Sequence, residues 1–144
     1  DWKRRRWPEY RAAVTRIQEH GIRVNGCFVL GLDGHGPDIF DAVYDFCLET
    51  EIFDVQITYQ TPFPGSALHG RLEREGRLTH AGQWERCTLF DVSYAPHPLS
   101  ADELRAGFHG LAKRLYAPDL TRWRRENFNR KHLRGLPHAE DTAP

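Results

Sequence analysis

Apolar and polar positions alternate along this chain with two periods, and the switches between them mark the elements. From Pro8 to His20 the apolar residues Tyr10, Ala13, Val14 and Ile17 fall at i, i+3, i+4 and i+7, one stripe of a helix. Pro8 suits its first turn and Gly21 its C-terminal cap. Ile22 to Leu30 is a nearly unbroken apolar run, the pattern of a strand buried on both faces of a parallel sheet. The glycine-rich segment Gly31 to Pro37 is a loop. A second helix is predicted from about Asp38, its cap, to Glu51. Ile39, Val43, Phe46 and Cys47 line one face, and Asp38, Asp41, Asp45 and Glu49 line a solvated one. The strand Phe53 to Gln60 alternates, with Val55, Ile57 and Tyr59 against Gln56, Thr58 and Gln60. Ser66 caps a third helix containing Leu68 and Leu72 and ended by Gly76.

Beyond residue 76 the pattern loosens. Thr88 to Tyr94 is a candidate third extended piece. Ser100-Ala101-Asp102-Glu103 is a capping box, followed by Leu104, Phe108, Leu111, Ala112 and Leu115 in helical register. Pro118 breaks that helix, a basic helix runs from about Asp119 to His132, and residues 135–144 form a flexible tail. Helices alternating with strands across short loops argue for βαβ units and a parallel sheet. Two or three such strands make neither a closed barrel nor a complete doubly wound sheet, so part of a larger α/β domain is expected elsewhere.

Composition sharpens this picture. The 144 residues carry 20 basic and 20 acidic side chains and are 40% hydrophobic, enough for one core and unlike a disordered chain. No run has the length of a membrane span, and the start does not read as a signal segment. There is no methionine and the sequence begins at Asp1, from which an excised piece of a longer protein is expected. The neutral total hides blocks: residues 1–16 sum to +4, 17–104 to −9, 105–134 to +7 and the tail to −2. The ordinary meaning of the basic blocks is a solvated helical surface or an edge that met another domain. The alternative is a nucleic-acid patch of Arg122, Arg124, Arg125, Arg130, Lys131 and Arg134 with Trp123 and Phe128 for stacking. No recognised module surrounds it, so nucleic acid is disfavoured as a partner. Cys27, Cys47 and Cys87 are too widely spaced for a disulfide framework or metal knuckle. Cys27 and Cys47 are expected to be small buried hydrophobes of a reduced, cytoplasmic protein.

Few motifs carry chemistry. Gly31, Gly34 and Gly36 form a loop between strand and helix, but not in dinucleotide or P-loop spacing, and Asp38 and Asp41 would repel a phosphate there. The plain alternative is a tight turn that needs positive φ. The eight histidines show no ligand pairing, and Ser66 lacks a nucleophile elbow. Gln56, Thr58 and Gln60 stand out, because a polar row facing a barrel lumen is costly unless it is hydrogen-bonded internally, wetted, or met by a ligand.

Gly26-Cys27-Phe28-Val29-Leu30-Gly31-Leu32-Asp33-Gly34 comes first, and a helix follows. Next stand Asp54 to Gln60 with Thr61-Pro62-Phe63-Pro64-Gly65-Ser66, and then Leu72 to Leu78. In that order, with His20 to Val24 upstream and Trp84-Glu85 and Leu99-Ser100 downstream, these segments resemble the C-terminal half of a radical S-adenosylmethionine enzyme. The subgroup with an N-terminal cobalamin-binding domain is the most similar, over about residues 8–116. The resemblance implies an α/β fold: an incomplete TIM-type barrel, made of its late βα units in residues 1–95, with C-terminal helices in 96–134. It also implies a 4Fe-4S cluster on Cys-x3-Cys-x2-Cys that cleaves S-adenosylmethionine to a 5′-deoxyadenosyl radical, with methyl transfer as the candidate reaction on a small-molecule substrate. That motif and the cobalamin domain do not occur in these residues, so both groups would be bound by the missing N-terminal half of the parent chain. By matched segments, Val29, Gly31 and Leu32 would line the adenosine, with Gln60 and Thr61 at the adenine or substrate, and Gln56 and Thr58 would face the substrate. His35-Gly36 departs from the acidic-Thr pair that often follows the Gly-Leu-x-Gly turn. An inactive remnant is the remaining alternative for the isolated chain.

Overall fold

A computed structural model describes residues 6–80 and 82–133. It contains, in order, α1 (Trp7–Glu19), β1 (Asn25–Leu30), α2 (Asp38–Glu49), β2 (Asp54–Tyr59), α3 (Ala67–Arg74), a short 3-10 turn (Trp84–Arg86), α4 (Ala101–Leu115) and α5 (Pro118–His132). Among the described residues the sheet is the parallel pair β1–β2, joined by α2 as a βαβ crossover. The predicted tail at 135–144 lies outside the described residues.

The core lies between one face of this pair and the helices. Leu30, Val55, Ile57 and Tyr59 meet Ile39, Phe40, Val43 and Cys47 of α2 and Leu104, Phe108, Leu111 and Leu115 of α4. The aromatic rings of Tyr59 and Phe108 pack with centroids 4.1 Å apart. Gly107 lets α4 approach α2, since a Cβ there would run into the Phe40 ring. The alternation read in β2 holds in part: Val55, Ile57 and Tyr59 are buried toward the helices and Gln56 is exposed on the other face, but Thr58 and Gln60 are buried as well.

Several local expectations are corrected. β1 starts at Asn25 and is buried on one face only, because Cys27 and Val29 stand exposed. Cys27 is therefore not the buried hydrophobe expected, whereas Cys47 is. The α1 stripe is left open, with Tyr10 38% and Ile17 40% exposed. Asp38 occupies the first turn of α2 rather than capping it, Pro37 being the cap residue. The acidic face of α2 is partly paired across elements, Asp41 with Arg114 at 2.5 Å and Glu49 with Arg11 at 2.5 Å. Thr88 to Tyr94 contributes only an isolated antiparallel bridge, Leu78 with Tyr94. Pro118 opens α5, where its fixed φ and missing N–H suit a first turn.

The two edges of the pair differ. On β2 the outward N–H groups are all satisfied by acceptors outside the ladder. Val55 donates to the Asp54 carboxylate at 3.0 Å, Ile57 to the Tyr116 hydroxyl at 3.2 Å and Tyr59 to the Leu89 carbonyl at 2.8 Å. On β1 the parallel ladder turns the backbone groups of Cys27 and Val29 outward, and they meet no partner among the described residues. Beside that edge is an apolar cleft of about 400 Å³ lined by Trp7, Tyr10, Phe28, Val29, Leu32 and Phe46, among others.

Candidate functional site

The C-terminal ends of both strands lie side by side, where α/β folds place their sites. The register sets Cys27 opposite Gln56 and Val29 opposite Thr58 on the face away from the helices. Cys27 Sγ makes a weak contact to Gln56 Oε1 at 3.8 Å. Val29 is 45% exposed, Thr58 is buried, and Gln60 is 8% exposed just past the strand. The Gln60 backbone N–H donates to Leu30 O at 2.8 Å, which continues the ladder and pins the residue to the end of β1. Its side-chain Oε1 is buried and has no hydrogen-bond partner among the described residues. An unsatisfied buried amide oxygen costs about 1–3 kcal/mol, so an incoming N–H donor would find it prepared. The exocyclic amine of an adenine is one donor with that chemistry, so this one acceptor is compatible with an adenosine group.

The remaining predicted residues are placed less simply. Gly31 takes φ +87, as the tight-turn alternative requires, and is buried. The space its Cβ would fill is occupied by the Tyr94 hydroxyl and Leu104, so close approach here serves the chain's own packing. Leu32 is half-buried. Thr61 Oγ1 is engaged with Thr88 O at 2.8 Å and Tyr59 O at 3.3 Å, which ties the strand end to the following segment.

Residues that sequence reasoning missed hold this rim. Tyr94, 1% exposed, donates its hydroxyl to Gly31 O at 2.5 Å, and burial raises its pKa well above the ordinary tyrosine value. Asp33 meets Arg77 and Arg71, each at 2.7 Å, and the hydrogen bond from Arg77 chiefly holds its carboxyl below the usual range. Arg77 also pairs with Glu75 at 2.9 Å and donates to Ala95 O at 2.8 Å. No local signal marks these links, because Asp33 and Arg77 are 44 residues apart and Gly31 and Tyr94 are 63 apart.

The other candidate chemistries separate in space. Cys27 is on β1, Cys47 is buried on α2 and Cys87 follows the 3-10 turn. No group of three His, Cys, Asp or Glu side chains comes together among the described residues, so an iron-sulfur cluster does not fit them. Within the basic patch, Arg124 and Phe128 are buried, Arg125 faces Asp54 at 3.3 Å and Lys131 faces Glu51 at 2.7 Å. Four of the seven described residues of that candidate surface are thus turned inward or neutralised, and Arg134 lies outside the described residues.

No family model matches the chain. It is similar to bacteriochlorophyllide d C-12(1)-methyltransferase of Chlorobaculum tepidum, 28% identical over 111 residues. That match covers 77% of this chain and 24% of that enzyme. It is also similar to hopanoid C-2 methylase of Rhodopseudomonas palustris, 30% identical over 106 residues, 74% of this chain and 19% of that enzyme. The chain thus spans about a quarter and a fifth of the length of these relatives. Both relatives are named for methyl transfer. No helix among the described residues is long and apolar enough to cross a membrane.

Proposed function

We propose that these residues are the late βα units of a radical S-adenosylmethionine barrel whose parent enzyme transfers a methyl group to a small-molecule substrate. The observation that carries this is the asymmetry of the strand pair. β2 is sealed by Leu89 and Tyr116, as a last strand would be, while β1 offers a bare apolar edge to a preceding strand. Similarity to two methyl-transferring enzymes four to five times longer than the matched segment supports the same reading.

In this reading Gln60 accepts a hydrogen bond from the adenine amine, and Val29 and Leu32 give its ring and ribose an apolar wall. Gln56 and Thr58 face the substrate from the floor of the lumen. The iron-sulfur cluster and cobalamin would be held by other residues of the parent, and a cluster bound there would supply the reducing electron for cleavage of S-adenosylmethionine. The proposed task of this chain is to orient that molecule and shield it from water.

The test uses the native polypeptide that carries this sequence, reconstituted anaerobically with iron and sulfide. Dithionite and S-adenosylmethionine should yield 5′-deoxyadenosine by mass spectrometry, and Gln60→Ala should raise the S-adenosylmethionine concentration needed. Absence of 5′-deoxyadenosine from a cluster-replete preparation would sink the reading.

A further inference from the structure

The loop after β1 packs three glycines, Gly31, Gly34 and Gly36, into six residues, and glycine gives up more backbone freedom on ordering than any other residue. Left to itself such a loop samples many conformations. Here it is tied at three nearby positions. Gly31 O accepts from the Tyr94 hydroxyl at 2.5 Å, Asp33 is gripped by Arg77 and Arg71 at 2.7 Å each, and Gly34 N donates to His97 O at 3.1 Å. Every one of these ties comes from residues 71–97, later in the chain. The grip is itself anchored, since Arg77 also holds Ala95 O and Glu75.

We propose that Asp33 and Tyr94 are positioning residues that lock the 31–36 loop in its ligand-ready conformation. For the ligand this inference rests on the proposed adenosine wall. Neither side chain need touch the ligand. Ordering the loop in advance spares binding the entropy that three glycines would otherwise take.

The test has two readouts on the native polypeptide, with Tyr94→Phe, Asp33→Asn, the double variant, and Asp102→Asn as a control that breaks a remote surface pair with Arg105. The first needs no ligand. Amide hydrogen exchange over residues 32–36 should speed up in both single variants and not in the control. Unchanged exchange there overturns the lock, whatever the enzyme binds. The second is calorimetric binding of S-adenosylmethionine well below the melting temperature. Each single variant should bind about fivefold more weakly, the scale of one net hydrogen bond. The double variant should lose less than the product of the two, because both ties act on one loop. Faster exchange with unchanged affinity overturns the positioning role. A wild-type protein that binds no S-adenosylmethionine overturns the proposed function and with it the ligand half of this inference.

Discussion

Gln18 shows how much one side chain can join. It is 2% exposed, donates to Thr50 O at 3.1 Å and accepts from Phe53 N at 3.0 Å, so it links α1 to the turn before β2. Gln18→Ala leaves the buried Thr50 carbonyl and the half-buried Phe53 N–H without partners, and urea denaturation should show a loss of about 1–3 kcal/mol. Cys47 makes a contrasting case. Burial pushes its thiol from 9.0 up to about 12. The folded form therefore keeps a proton that the unfolded form releases above pH 9. Stability should fall as pH rises from 9 toward 12, by up to about 1.4 kcal/mol per pH unit from this group. Its acid-side stability is unaffected by this thiol, which is protonated in both states there. In the native protein at pH 8, a thiol reagent followed by mass spectrometry should label Cys27 first and spare Cys47 until unfolding. Early labelling of Cys47 would contradict its burial. Sequence pattern placed Cys47 correctly because helical period reports one face, but misplaced Cys27, because an apolar run does not tell whether a neighbouring strand is present.

At the scale of elements, legibility follows the range of the determining contacts. The α4 capping box was readable because its whole mechanism spans four residues: Ser100 Oγ accepts from Glu103 N at 3.2 Å and Ser100 N donates to Glu103 Oε2 at 2.8 Å. The Ser66 cap of α3, accepting from His69 N at 3.1 Å, was readable for the same reason. Ser100→Ala should cost about 1 kcal/mol in thermal or chemical melts. Adding Glu103→Ala should cost less than the sum of the two, since one box is being removed twice. Pro118 was read as the break between two helices, and it is: α4 ends at Leu115, and Pro118 itself rather than Asp119 starts the next. The rim around Gly31 lay beyond any local pattern, because residues later in the chain build it.

For the whole molecule, the decisive fact is that, among the described residues, one sheet edge is finished and the other is not. The strand order, the parallel pairing and the helical face of β2 were legible in the alternation of periods. Which edge would be capped was not, since Tyr116 reaches Ile57 N across 59 residues. If β1 is an open edge, the 144-residue chain produced alone should self-associate through it. Light scattering should then show a concentration-dependent mass that Val29→Lys lowers toward the monomer, because a charge on that half-exposed position opposes strand addition. A monomer at all concentrations before the substitution would argue against an exposed pairing edge. The basic block at 105–134 loses its simple meaning at this scale too, with Arg114 stacked 3.8 Å over Tyr44 and paired to Asp41, and Arg124 enclosed.

The capped edge of β2 also sets an order of events during synthesis. Its two remote acceptors, Leu89 and Tyr116, lie 30 and 59 residues downstream of the strand positions they satisfy, Tyr59 and Ile57. As the polypeptide leaves the ribosome, β1 and β2 can pair well before either acceptor has emerged. During that interval the outer edge of β2 stays open to other strands. The β2 edge can therefore close only once the chain has been made as far as Tyr116, just past α4.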